Sequence, residues 1–436
     1  MRVFIAQKYE LGERWDPMMV AYRRNLSHFK YQPVSLASLL ISPPQYGANE
    51  SGIKRISEQQ IRYIRITDIN DNGLLNNNLG ATVERINAKY ILNHNDLLFA
   101  RSGATVGKTF LYKKNLYNYP CLFAGYLIKF QLNPSIVIPD YLFIYTQLSS
   151  YKDWIIATQR AAAQPNINAE EYKSLQVPLP PLTVQNKIYE IYHFAVLNKQ
   201  KKEQEANALL ASIDDYLLSE LGIERPTLAR TENGRFFYTS FKEITGGELA
   251  PISVQNRGKQ SKSTQYKEIK LSTIASITKG QAITSKEIVD GEYPVIAGGQ
   301  SSPYTHNQYN HKGDVITVSA SGAYSGYVWY HDYPIFASDC SVIFSKDNNV
   351  FLTKYIYEIL RLRQKEIYLL QKGAGQPHVY ASDLAQITIP VVSIEKQMEI
   401  ILRCNNLRIA ADELTQEGKN LVESAKITIE AMILGE

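Results

Sequence analysis

Cysteine is scarce. Cys121, Cys340 and Cys404 are the only three in 436 residues, far apart and odd in number. That argues against a disulfide framework or a thiolate zinc site and suits a reducing cytoplasm. Long apolar runs are missing as well, and none approaches the length of a membrane span. The opening MRVFIAQKYELGERW has no signal-peptide core, because charges arrive too early. Catalytic signatures are absent too. There is no HExxH, GxSxG or paired-carboxylate pattern, and His94, His306, His311, His331 and His378 show no metal-ligand spacing. Charge of one sign is barely in excess: the net charge is +5, which permits a nucleic-acid partner without requiring one.

What is present is a repeat. Residues 164–188, QPNINAEEYKSLQVPLPPLTVQNKI, align without a gap to residues 376–400, QPHVYASDLAQITIPVVSIEKQMEI, at an offset of 212. Gln164-Pro165 matches Gln376-Pro377, and Gln185 matches Gln397. A repeat at this distance predicts a duplicated domain rather than a solenoid of short units. With 44% hydrophobic and 20% charged residues, the chain reads as soluble and globular, with two or three domains.

Each copy closes a β-rich block. In the first block, 61–69, 96–101, 108–112 and 124–132 mix β-branched and aromatic residues between turn clusters; 138–159 then turns helical, with Leu142, Tyr145, Leu148 and Ile155 on one side. The second block repeats the order with strands at 292–298, 314–320, 325–330 and 339–344 and a helix at 352–371. SGATVG (102–107) aligns with SGAYSG (321–326), and Asp96 roughly with Asp314; Gly103, Gly107, Gly322 and Gly326 suit turns with positive φ. A faint echo of the first residues at 235–251 places the start of the second unit near residue 235.

A helical pattern follows each copy. In the second, Ile400, Cys404, Leu407, Ala411, Leu414, Gly418, Leu421, Ala425, Thr428 and Met432 fall at alternating spacings of four and three, a heptad seam. The first carries Ile188, Tyr192, Ala195, Lys199, Lys202, Ala206, Leu209, Ile213 and Tyr216, so two lysines sit mid-seam. The expectation is a pair of long helices packed on each other as a spacer. The alternative is two amphipathic helices, each packed on its own domain. Residues 222–234 read as a linker, and 255–267 as a mobile basic stretch.

Two motifs tempt toward enzymology. GATVGKT (103–109) has three residues where a phosphate-binding loop needs four, and its aligned copy has no lysine. SPPQY (42–46) resembles the loop that holds the target amine in amino-methyltransferases, but Gln45 displaces the aromatic residue and no glycine-rich loop for S-adenosylmethionine accompanies it. What remains is a polar, basic and aromatic set in the dissimilar loops. In the first block it comprises Lys54, Arg55, Arg62, Arg65, Arg101, Ser102, Lys108 and Thr109; in the second, Lys279, Gln281, Ser302, Tyr304, Thr305, His306, Ser321 and Tyr324. Arginine bridges guanine O6 and N7, Gln pairs with adenine, and Ser, Thr and Lys hold phosphates. Thirty tyrosines suit amphipathic contact surfaces.

The segments LLFARSGATVGKTFLY, AAAQPNINAEEYKSLQVPLPPLTVQNKIYEI and GQPHVYASDLAQITIPVVSIEKQMEII, the restart FFYTSFKEITG, and the helix after each copy resemble the specificity subunit of type I restriction–modification systems, over essentially the whole chain. The resemblance implies an α+β fold: two globular target recognition domains, each a mixed β-rich α/β fold, separated by two long antiparallel coiled-coil helices. It divides the chain into recognition domain 1–182, helix 183–221, linker 222–234, recognition domain 235–394 and helix 395–436. It implies double-stranded DNA as target, two methyltransferase subunits and restriction subunits as partners, no membrane, and a cytoplasmic location. This chain would have no catalytic residues and no cofactor of its own; S-adenosylmethionine, ATP and Mg are expected on partner subunits. Three other readings stay open: a specificity subunit of a methylation-only or other bipartite-site system, a stand-alone nucleotide-binding enzyme built on GATVGKT, and a structural protein whose repeats bind protein or glycan.

Overall fold

The computed structural model describes residues 17–26, 28–159, 165–224, 262–373 and 375–434. The echo at 235–251, most of the linker and residues 255–261 lie outside the described residues. The chain forms two compact units. One comprises residues up to Glu203 together with Thr415 onward, and the other Gln204–Leu414.

In the first unit the run LLFA at Leu97–Ala100 is buried on both faces and forms the middle of an antiparallel sheet, ordered Gln45–Tyr46, Leu127–Phe130, Leu97–Ala100, Thr109–Leu111. Side chains alternate along a strand. Leu97 and Phe99 therefore enter the main core with Phe130, Tyr141, Tyr145, Trp154 and Tyr172, while Leu98 and Ala100 enter a second cluster with Phe110, Phe123 and Leu127. A smaller sheet, Ile53–Lys54, Ala81–Thr82, Arg62–Ile64, Cys121–Phe123, ends in a parallel pair. The single helix expected over 138–159 is two, Pro139–Tyr145 and Ser149–Thr158. The break falls where Thr146 Oγ1 turns back to the Phe143 carbonyl and Glu430 accepts from the amide of Ser149 at 2.7 Å, capping a new N-terminus.

The second unit repeats this plan with other residues. Its main sheet runs Ala275–Lys279, Cys340–Ser345, Val315–Ser319, Val328–His331, all antiparallel; its small sheet, Thr305–His306, Tyr293–Ile296, Phe336–Ala337, again ends in a parallel pair. Asn95 (φ 71°), not Asp96, is the structural counterpart of Asp314 (φ 51°). Both precede the central strand in the left-handed region, which a short polar side chain tolerates.

The repeated tail is explained by one buried amide in each unit. Gln185 accepts from the Ile138 amide at 2.7 Å and donates to the carbonyls of Pro180 and Ile136. Gln397 accepts from the Leu352 amide at 2.8 Å and donates to the carbonyls of Val392 and Val350. Tyr141 and Tyr355 add matching bonds to the carbonyls of Pro178 and Pro390. Each Gln thus ties the last strand, the first turn of a long helix and the start of the domain's helical layer together.

The long helices are Leu182–Glu220 and Ile394–Leu434. Within the first unit Ile188, Tyr192 and Ala195 share a core with Val422, Ala425, Ile429 and Ile433, and Lys202 meets Glu417 at 2.5 Å. Within the second, Ile213, Leu217 and Leu221 share a core with Ile400 and Cys404, and Lys396 pairs with Glu220. In both, early residues of one helix meet late residues of the other, so the pairing is antiparallel. The mid-seam lysines find a place: the Lys199 stem packs on Gly418, whose missing side chain lets the backbones approach, and Lys202 has its acid. The heptad count fails at the end of the second helix. Val422, Ile429 and Ile433 are buried instead of Leu421, Thr428 and Met432, and Leu421 is 38% exposed. A helix of 3.6 residues per turn drifts about 20° per heptad, and Ile400, Ala411, Val422 and Ile433 recur at the eleven-residue interval instead.

Each helix end has a matching seat. Ser263 Oγ donates to the Leu221 carbonyl, and the Thr264 amide to the Gly222 carbonyl, beside the strand pair Ile223–Glu224 and Lys262–Ser263. The Lys30 amide donates to the carbonyl of Ile433, the residue 212 positions after Leu221.

Candidate nucleic-acid interface

Part of the dissimilar loop set sits at one end of each main sheet, while Lys54, Tyr304 and Thr305 belong to the small sheets. In the first unit this end is built by Gly47, Ala124 to Tyr126 and the turn after Ala100; in the second, by Gly280, Ala337 to Asp339 and the turn after Ser319. Gly47 and Gly280 are equivalent: a Cβ at either would lie 2.2 or 2.1 Å from a carbonyl oxygen, of Ala124 or Ser338, so the strands can close only on glycine. The SGA turns are equivalent too, with φ of 74° and 89° at Gly103 and Gly107 and 86° and 92° at Gly322 and Gly326. Each turn is braced by the Gln-Pro segment: Gly103 donates to the Pro165 carbonyl and Gly322 to the Pro377 carbonyl. The repeat therefore holds the platform, and the side chains mounted on it differ.

In the first unit the platform carries Arg101, whose guanidinium lies 5.0 Å from the centre of the Tyr46 ring, and the exposed Tyr126, whose carbonyl accepts from the Arg101 amide. Arg65 leaves its strand beside Ala124 but is held by Asp68 in a bidentate pair at 3.0 Å. Lys108 pairs with Asp71 at 2.7 Å. Lys54 is exposed on the edge of the small sheet.

Four expected contacts of the first unit lie inside. Arg55 is 1% exposed; it donates to the carbonyls of Gln60, Leu79 and Glu58 and stacks on Tyr119. Arg62 is likewise buried, bonded to Tyr119, Asn76 and Asn78. Thr109 joins a buried network with Thr146 and Gln147, and Ser102 is buried where its backbone pairs with Asn166. These side chains shape the loops and are not presented to a partner.

In the second unit Lys279, Gln281, Tyr304, Thr305 and Tyr324 are exposed. Lys279 and Gln281 flank Gly280, and the Gln281 amide is fixed on the Ala337 carbonyl while its side chain stays free to reach outward. Ser321 bonds Asp339 on the same platform. Ser302 is turned inward to the carbonyls of Val295 and Tyr304. His306 is a correction. It is 7% exposed, its Nδ1 accepts from the Val289 amide, and its ring meets Phe336 edge-on, so it fastens a loop.

Sequence reasoning missed Tyr46 and Tyr126. Tyr46 was visible only as the last letter of SPPQY, and Tyr126 has no signature, since any residue at a strand entry reads alike.

The phosphate-loop reading finds no support in the geometry. GAT is a single 3-10 turn followed by the strand Thr109–Leu111, not by a helix. The amides of Gly103, Val106, Gly107 and Lys108 already donate to the carbonyls of Pro165, Gly103, Ala100 and Thr105, leaving them none to offer a phosphate. Among the described residues, no three or more His, Cys, Asp or Glu side chains gather as a metal site would require. No described helix is long and apolar enough to cross a membrane.

Two copies of one platform with different side chains, each tied to a long helix, describe a duplicated sequence reader. The family model of the type I restriction modification DNA specificity domain matches twice, at residues 49–208 and 263–424. That is more than half of the chain, and the chain belongs to this family. A Mycoplasma pneumoniae (strain ATCC 29342 / M129 / Subtype 1) protein named as a type I specificity subunit is 22% identical over 302 residues, 68% of this chain and 72% of that one. The type I restriction enzyme MjaVIII specificity subunit of Methanocaldococcus jannaschii is 25% identical over 132 residues, 28% of this chain and 29% of its own. A crystal structure of the type I restriction–modification S subunit from M. genitalium is 15% identical, with 93% of this chain and 96% of that one covered and a TM-score of 0.45.

Proposed function

We propose that this chain is the non-catalytic subunit that reads a bipartite, asymmetric DNA target for a type I restriction–modification complex. Residues 1–182 and 235–394 act as target recognition domains, one per half-site. The helices 183–221 and 395–436 set the distance between half-sites and seat two methyltransferase subunits, to which restriction subunits attach. S-adenosylmethionine, ATP and Mg belong to those partners, and the complex works in the cytoplasm. One observation carries the reading: the joints are the same in both units, to the hydrogen bond, and the platforms share their glycines and proline braces, while the side chains displayed on them differ. An exposed set of Tyr, Lys, Gln and Arg suits phosphate and base contacts, and a duplicated reader suits a target in two parts.

Methylome sequencing of cells carrying the complete system tests this. The expected result is a target of two unlike half-sites with a fixed spacer. Alanine at both Lys279 and Gln281 should degrade one half and leave the other unchanged. Methylation at a continuous or palindromic site, or loss of both halves together, would sink it.

A further inference from the structure

The first unit has more basic residues near its platform than it presents. Arg55 and Arg62 are buried, and Arg65 and Lys108 face Asp68 and Asp71. Lys54 is exposed on the edge of the small sheet. Arg101 stands apart from all of these. Its guanidinium makes no hydrogen bond or ion pair with any described residue, and its Nε is buried without a partner. It follows the central strand, crosses the entry of the Leu127–Phe130 strand at Tyr126, and rests over Tyr46 on the strand beyond. Tyr46 is itself held, because its hydroxyl accepts from the Ala169 amide at 3.1 Å.

A phosphate contact needs only a charge at the rim, which a mobile lysine supplies. A base-edge contact needs a planar pair of donors held in one orientation. An arginine on a fixed aromatic shelf meets that need, since the stacking freezes the side chain before DNA arrives. We propose that Arg101 reads a guanine of the first half-site, donating to O6 and N7 from the major groove, with Tyr46 as its shelf. The equivalent of Arg101 in the second unit is Ala320, so the second half-site is not read this way. The assignment rests on the proposed DNA-reading function.

The test compares methylomes of cells carrying the complete system with wild-type chain, Arg101→Ala, Arg101→Lys or Tyr46→Leu. The wild-type target is expected to hold a G·C pair in one half. Arg101→Ala should make that single position degenerate, with discrimination falling roughly ten- to hundredfold there and the other half intact. Arg101→Lys keeps the charge without the fork and should also lose the position; Tyr46→Leu should do so more weakly. An unchanged motif methylated less at every site would overturn the assignment in favour of a phosphate contact, and degeneracy at an A·T position would overturn it in favour of a different base contact. If Arg101→Ala abolishes methylation, Arg101→Lys decides: a degenerate position supports the assignment, while an unchanged motif, or total loss from a chain with wild-type circular dichroism, overturns it. A wild-type methylome without a bipartite target defeats the proposed function instead.

Discussion

His331 is fully buried on the edge strand of the second main sheet, with Nε2 2.8 Å from Thr317 Oγ1 and Trp329 beside it. Burial holds its imidazole neutral down to about pH 4, against an ordinary 6.5, with the Asp332 charge opposing weakly. A depressed histidine stabilises the fold fully above 6.5, and that stability is lost as pH falls from there toward 4. The expected loss is about 3 kcal/mol, read as a drop in urea midpoint followed by tryptophan fluorescence, and His331→Gln should flatten it. The buried glutamines make a second test at this scale. Gln185→Leu or Gln397→Leu leaves an amide and two carbonyls without partners and should cost about 3 kcal/mol, with hydrogen exchange rising in the mutated unit alone. These glutamines were legible as repeated letters because their partners are backbone atoms, which any sequence supplies. The burial of Arg55 and His306 was not legible. Their partners are set by loop folding, and a buried arginine bonded to carbonyls has the same letter as one at a DNA groove.

Among elements, the central strands followed from runs of β-branched and aromatic residues between turn clusters, and the repeat doubled the signal, while Ala275–Lys279 and the two-residue strands Gln45–Tyr46, Ala81–Thr82, Thr305–His306 and Phe336–Ala337 lay outside that reading. The helical layer of the first unit broke where a partner from far along the chain, Glu430, supplied a cap that no local pattern announces, and the helix expected over 352–371 is likewise two, Thr353–Leu362 and Gln364–Tyr368, parted at Arg363 without a side-chain cap. The contact of the Thr353–Leu362 helix with the second long helix differs between units. Arg408 forks onto the fully buried Glu358 at 2.7 and 2.5 Å, whereas the equivalent positions of the first unit are the apolar Val196 and Ile144. Arg408→Val alone strands a buried carboxylate and should destabilise by about 3–5 kcal/mol. The pair Glu358→Ile with Arg408→Val should recover most of that, because the first unit already packs this way. A thermal unfolding double-mutant cycle measures the coupling, and simple additivity would refute it.

For the whole molecule, the spacing role proposed for the helices is tested by their length. Removing one turn from each, four residues in register, should shift the preferred spacer between half-sites in the methylome without altering either half; an unchanged spacer would refute the measuring role. The duplication, the twin helices and the type of reader were all legible because they are written in repeated residues. The bases read were not, since they depend on side chains mounted on loops whose geometry no repeat specifies.

The seats of the two helix ends carry a consequence for covalent continuity. In the second unit the segment 225–261 joins the helix end at Leu221 to the strand residues that bind it; in the first, Ile433 meets Lys30 with no peptide linkage between them nearby. The seat therefore forms by docking and does not depend on the chain being unbroken there. A chain nicked by protease between residues 225 and 261 should stay in one piece on a sizing column, with an unfolding midpoint that rises with protein concentration where that of the intact chain does not.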